Sequence, residues 1–136
     1  MCDDFAKKRL ILLVDDEPAL RKVGAQMLEV LGYRVVLAED GRDGVERFQE
    51  HHHELSLVLL DMIMPNMGGQ SAFEAMRSID ELVPIILCSG YVDSSTVSLM
   101  LAQGLAGFLA KPYRFAQLLE QLEKVASASR GSAKLS

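Results

Sequence analysis

Short apolar runs, each closed by a polar residue, alternate with amphipathic stretches along the whole chain. Leu10-Ile11-Leu12-Leu13-Val14 ends in Asp15 and Asp16, Leu57-Val58-Leu59-Leu60 in Asp61, Ile85-Ile86-Leu87-Cys88 in Ser89, and Phe108-Leu109-Ala110 in Lys111. Each run is too short for a free-standing helix and reads as a strand buried on both faces, as in parallel sheets. Ligands of such sheets bind outside the carboxyl ends of the strands. Four segments therefore direct three carboxylates, a hydroxyl and an ammonium at one edge.

The stretches between the runs carry helical signals. From Pro18 to Leu31, Leu20, Met27, Leu28 and Leu31 recur at helical spacing, Pro18 suits a first turn and Gly32 stops the pattern. Arg34 to Ala38 reads as a second strand, and Asp40 as the N-cap of a helix through Val45 and Phe48 towards His51. A loop with Pro65, Gly68 and Gly69 leads into a helix that shows Phe73, Met76 and Ile79 on one face. Pro84 opens the fourth strand, and a weaker helix from Ser94 to Gln103 closes at Gly104. The last helix has the cleanest stripe, with Phe115, Leu118, Leu119, Leu122 and Val125. Five βα units in succession predict an α/β domain, a parallel sheet covered on both faces and joined by right-handed crossovers. The expected organisation is an N-terminal extension over 1–8, one domain over 9–126 and a flexible polar tail over 127–136.

Bulk properties exclude several classes of function. With 136 residues the chain is one domain with room for a core. Fourteen basic against 19 acidic residues leave a net charge of -5, a poor match for nucleic acid or an anionic membrane. The start, Met1-Cys2-Asp3-Asp4, lacks the basic and apolar regions of a signal peptide, and no apolar stretch approaches a membrane span. Cys2 and Cys88 are too few for a disulfide framework. Free thiols in a reducing cytoplasm are the expectation.

Converging carboxylates repel one another, so ionising all three requires compensation. A hard divalent cation with oxygen ligands provides it, and Mg²⁺ typically takes one or two carboxylates plus waters and phosphate oxygens. Phosphoryl transfer at such a site needs an in-line nucleophile and positive charge on the equatorial oxygens. Asp61, ending the central strand, is the candidate nucleophile. Asp16 is a direct metal ligand, and Asp15 completes the sphere directly or through water. Lys111 supplies a point charge and Ser89 a hydroxyl donor for phosphate oxygens.

The strings Leu13-Val14-Asp15-Asp16-Glu17-Pro18, Asp61-Met62-Ile63-Met64-Pro65-Asn66-Met67-Gly68-Gly69, Ser89-Gly90-Tyr91 and Phe108-Leu109-Ala110-Lys111-Pro112 resemble receiver domains of two-component response regulators. The likeness covers residues 9–126. Each motif alone is common; their order at the ends of strands one, three, four and five is specific. The resemblance implies the flavodoxin-like doubly wound fold with strand order 2-1-3-4-5. It implies Asp61 as phosphoacceptor, loaded from a histidine kinase or histidine phosphotransfer domain. Mg²⁺ or Mn²⁺ would be held by Asp15, Asp16, Asp61 and the backbone carbonyl of Ile63. Ser89 and Phe108 resemble the switch pair that couples phosphorylation to the surface of the fourth helix, fifth strand and fifth helix, and Pro112 would follow a cis bond. A phosphorylation-dependent dimer is compatible with that switch, and Tyr91, Tyr113 and Arg114 are the candidate readout. Ser89-Gly90-Tyr91, in place of a Thr-Ala pair, is most similar to the receivers of hybrid sensor histidine kinases. No effector follows Val125, so either a stand-alone regulator or a piece of a larger kinase is expected.

Departures from the family pattern and plainer readings bear on these roles. Ile63 stands where many receivers have a polar side chain, Tyr91 where a small one is frequent, and Gly68 where an acid is frequent. N-capping alone would not need both Asp15 and Asp16. Asp61 as a turn residue, or Lys111 as a solvated loop cation, fits each position singly but not the constellation. His51-His52-His53 cannot share one helix face, and suits the negative end of a helix dipole better than a metal. Met62, Met64 and Met67 read as adaptable packing. Two other classes of function compete. An Asp-nucleophile phosphatase of the haloacid dehalogenase type needs a second acid two places after the first, where this chain has Ile63. A pseudo-receiver that only binds partners would not need the full set of acids, hydroxyl and lysine.

Overall fold

The computed structural model describes residues 9–64, 66–90 and 93–135, with side chains of the last helix described to Val125. The 1–8 extension with Cys2 and Asp3, and the positions of Pro65 and Tyr91, lie outside the described residues. Within the described residues, five strands and five helices alternate in chain order. They are β1 (Leu10–Val14), α1 (Pro18–Val30), β2 (Arg34–Ala38), α2 (Gly41–His51) and β3 (Leu55–Asp61), then α3 (Gly69–Ile79), β4 (Ile85–Ser89), α4 (Ser94–Ala102), β5 (Gly107–Ala110) and α5 (Phe115–Leu135). All strand pairs are parallel, in the order β2-β1-β3-β4-β5. This is the flavodoxin-like doubly wound arrangement that the resemblance implies.

Alternation along the strands divides the core into two layers. Leu10, Leu12 and Val14 of β1 join Val58, Leu60, Phe48, Phe73, Met76 and Met100 beneath α2, α3 and α4. Ile11 and Leu13 join Leu57, Leu59, Ala25, Leu28, Leu118 and Leu122 beneath α1 and α5. Only the inner strands are buried along their length; β2, at the edge, is exposed at Arg34 and Leu37. Cys88, a free thiol in β4, is buried and opposes Asp61 in the register of β3 and β4.

Local signals account for the element boundaries. Pro18 occupies the first turn of α1, and Gly32, at φ 95, lets the chain turn out of it. Asp40 caps α2 by accepting the Asp43 amide at 2.8 Å, and Asp93 caps α4 through Thr96. His51 closes α2, and His52 just beyond stacks on Phe48 and meets Asp80 at 2.8 Å. His52 thus ties the end of α2 to the end of α3. The last helix continues to Leu135, although 127–136 reads as a tail. Adding residues to a formed helix needs no new nucleus, so the polar composition does not stop it.

Candidate functional site

Parallel register brings the strand ends to one level. Asp15 and Asp16 follow Val14, which pairs with Leu60 beside Asp61, and Asp61 pairs with Cys88 beside Ser89. Ser89 pairs with Ala110, and the Lys111 amide donates to the Ser89 carbonyl at 2.8 Å. Asp15, Asp61 and Ser89 are only 4%, 6% and 2% exposed. Above them opens a cleft of about 410 Å³ lined by Asp16, Asp61, Ile63, Ser89, Lys111 and Pro112, among others. Ile63, 69% exposed, forms part of its rim. The Lys111–Pro112 bond is cis.

Lys111 Nζ donates to Asp15 Oδ2 at 3.0 Å and to Asp61 Oδ2 at 3.3 Å. One carboxylate oxygen from each of Asp15, Asp16 and Asp61 lies within 4.8 Å of the others. Unit charges at 4–5 Å interact by roughly 3–4 kcal/mol at an effective dielectric of about 20. Three carboxylates face one ammonium, so with all of them ionised the site retains an excess of negative charge. Burial, with Asp15 adding to it and Lys111 opposing, raises the Asp61 pKa to about 6. Burial also works against the Lys111 ammonium, but the hydrogen bond to Asp15 and the charges of Asp61 and Asp15 outweigh it, and its pKa stands above that of a free lysine. Among the described residues, these three acids are the one group of acids, histidines or cysteines close enough to share a metal ion. Their hard oxygen donors and excess charge suit a small divalent cation.

Two contacts that sequence reasoning missed fix Asp15. The Glu17 amide donates to its Oδ1 at 3.0 Å, and Arg21 Nη1 donates to its backbone carbonyl at 2.7 Å. Arg21 reads as a surface residue of α1, and no motif spacing marks it. A second cleft of about 490 Å³ adjoins the first. It lies between α4 and β5, lined by Ser89, Gly90, Ser94, Val97, Ser98, Phe108 and Ala110. Ser89 thus borders both spaces, and Phe108 borders the second. Tyr113 takes the opposite direction from the expected readout surface. It packs with Leu20, Val23, Gly24 and Met27 on the α1 side, leaving Arg114 exposed. Burial raises its phenol pKa above the ordinary value. The aromatic ring finds an apolar seat there that a side chain on the outer face would lack.

Residues 11–123 match the family model of the response regulator receiver domain. The chain belongs to this family. Receiver domains are signalling domains of two-component systems. Among similar proteins, the chemotaxis protein CheY of Bacillus subtilis is 35% identical over 115 residues, 84% of this receiver domain and 94% of that protein. Transcription factor SKN7 of Chaetomium thermophilum is 35% identical over 79% of the chain, and sensor kinase CckA of Brucella abortus 33% identical over 89%. The chain spans 14% of the length of the former and 13% of the latter. In structure, CheY from Borrelia burgdorferi, crystallised in a complex with CheX, BeF3 and Mg²⁺, resembles this receiver with a TM-score of 0.83 at 26% identity, covering 86% of this chain and 88% of that one. CheY4 of Vibrio cholerae gives 0.80 at 28% identity over 87% and 98%. Among the described residues, no helix of the receiver is long and apolar enough to cross a membrane.

Proposed function

We propose that this receiver accepts a phosphoryl group on Asp61, in the presence of Mg²⁺ or Mn²⁺, from a phosphohistidine on a histidine kinase or phosphotransfer domain. The observation that carries the reading is the Lys111 ammonium bridging Asp15 and Asp61 at the floor of an open acidic cleft. The relatives support it, since they include a sensor kinase and a CheY crystallised with BeF3 and Mg²⁺.

Asp15, Asp16, Asp61 and the Ile63 carbonyl would hold the cation, which when bound supplies positive charge to offset the acids and the phosphoryl oxygens. An Asp61 carboxylate oxygen attacks phosphorus, the bond from phosphorus to the imidazole nitrogen breaks, and its electron pair stays on that nitrogen. Lys111 neutralises charge on the transferred group, and Ser89 donates its hydroxyl to a phosphoryl oxygen. Arg21 and the Glu17 amide hold Asp15 in place from its backbone and its carboxylate. Ile63 at the rim presents an apolar side chain to water approaching the acyl-phosphate.

Output follows from the second cleft. Ser89 moving towards phosphate vacates space beside Phe108, and the room between α4 and β5 lets the ring turn inward. A coupling of roughly 1–3 kcal/mol suffices to bias partners at the surface formed by α4, β5 and α5, a second copy of the chain included. The full set of acids, hydroxyl and lysine favours this cycle over binding without phosphorylation. The absence of a second acid at position 63 disfavours a turnover phosphatase.

Incubation with acetyl phosphate and Mg²⁺ tests the reading. Intact-mass spectrometry is expected to find one phosphoryl group, labile to hydroxylamine and absent from Asp61→Ala. The same adduct on Asp61→Ala would refute the assignment.

A further inference from the structure

The loop that leaves Asp61 is anchored at both ends. The Met62 amide donates to the Cys88 carbonyl at 2.9 Å, and the Gly69 amide returns to the Met62 carbonyl at 2.7 Å. Farther along, Asn66 stands at φ 68, in the left-handed region that Asn and Asp tolerate better than most residues. Its Nδ2 donates to Asp40 Oδ2 at 2.7 Å. The adjoining Met67 carbonyl lies so close to Gly41 that a Cβ there would be 2.0 Å from its oxygen. Asp40 Oδ1 meanwhile accepts the Asp43 amide at 2.8 Å, and Asp43 Oδ2 accepts the Glu39 amide at 3.1 Å. One carboxylate therefore grips the first turn of α2 with one oxygen and the acceptor loop with the other.

We infer that Asp40 and Asn66 are positioning residues for the cation site, a clamp that ties the loop leaving Asp61 to the start of α2 at Asn66 and Met67 and so, by keeping the segment that carries the Ile63 carbonyl ordered, sets the affinity for Mg²⁺. The inference rests on the metal reading proposed above. A backbone carbonyl binds a cation well only if its loop is already ordered; a loose loop must be ordered during binding, and affinity falls accordingly. The clamp removes that burden before the cation arrives.

Asn66→Asp tests this with a built-in control. Aspartate tolerates the same backbone conformation, but two carboxylates now face each other and the clamp opens. The added negative charge by itself strengthens cation binding, so a weaker site can come only from the lost clamp. Calorimetric titration with Mg²⁺ is expected to give a Kd roughly tenfold above wild type. In Asp40→Asn/Asn66→Asp the donor and acceptor exchange places, the helix cap is kept, and Kd is expected to return to within about twofold of wild type. Asn66→Gly, which accepts the positive φ without strain, should weaken binding as Asn66→Asp does, with circular dichroism verifying the fold. A pair that merely stabilises the protein would lower the metal-free Tm and leave Kd unchanged. Unchanged Kd in Asn66→Asp, or no recovery in the double variant, overturns the clamp. Wild-type protein that takes up no Mg²⁺ overturns the metal reading itself, and this role with it.

Discussion

The phenol oxygen of Tyr113 lies 2.9 Å from the point where a Cβ on Gly24 would stand. The missing side chain in α1 is thus the notch that receives the ring following Lys111-Pro112. Helix propensity alone favours alanine at position 24 by about 1 kcal/mol, whereas overpacking costs about 1–3 kcal/mol. Gly24→Ala is expected to lower Tm, because the phenol and Leu13 both have to move. In a Tyr113→Phe background the oxygen is gone, and the same Gly24→Ala change should cost less or become stabilising. Thermal unfolding of the four proteins checks the cycle, and equal effects in both backgrounds would sink it.

Asp61 carries an electrostatic penalty in the metal-free protein. Its pKa rises from the ordinary 3.8 to about 6, mainly through burial. A raised carboxyl pKa means that the neutral form is favoured on folding. That stability is fully present below about pH 4 and lost as pH rises through 6. At pH 7.5 Asp61→Asn should therefore stabilise the metal-free chain by about 1–2 kcal/mol, discounting for water in the cleft. The order reverses with saturating Mg²⁺, which raises the Tm of wild type but not of the variant. A variant less stable than wild type without metal would contradict the penalty.

Competition between proton and cation at Asp61 follows from the same shift. Mg²⁺ affinity is expected to be flat above about pH 7 and to fall steadily as pH drops through 6. An unperturbed carboxylate would hold its affinity to below pH 5. Titrations at a series of pH values distinguish the two.

Gly69 leaves no such room for adjustment. A Cβ there would stand 2.5 Å from the Asp61 carbonyl oxygen and 2.7 Å from the Met62 Cα, both backbone atoms. Gly69→Ala can be accommodated only by moving the chain at the acceptor itself. Weaker Mg²⁺ binding and slower labelling by acetyl phosphate are expected, together with a loss of about 1–3 kcal/mol of stability. Normal labelling in a destabilised protein would mean that the backbone yields elsewhere.

Beryllofluoride tests the switch. Amide shifts are expected at Asp61 and Ser89 and across the second cleft, at Ser94 to Ser98 and at Phe108. Shifts confined to the loops of Asp16 and Asp61 would leave the site intact and discard the route through Phe108.

The parts of the fold legible in the sequence were those whose signal is local. The inner strands are buried on both faces, so they read as unbroken apolar runs, and their polar ends, with Lys111 after the edge strand β5, mark the edge where Asp15, Asp16 and Asp61 meet. Helix α4 was weakly marked for a physical reason: it has no charged residue, and Met100 alone is buried among apolar neighbours that include exposed Leu99 and Leu101. Contacts outside the regular helix and strand spacings left no trace. Neither Asn66 on Asp40 nor Arg21 on the Asp15 carbonyl belongs to a recurrent spacing. Tyr113 faces the α1 side against expectation because a residue following a strand can turn to either layer, and the notch that receives it is a glycine many positions upstream.

Cys88 sits directly beside the acceptor strand's last residue, and burial pushes its thiol up to about 12. Thiolate is the form that alkylating reagents attack, so the native protein protects this sulfur twice, by exclusion and by protonation. Its alkylation rate in a Cys2→Ser background therefore clocks how often the centre of the sheet opens. The chain carries its own stopwatch beneath the acceptor, readable by mass with no probe added to the site.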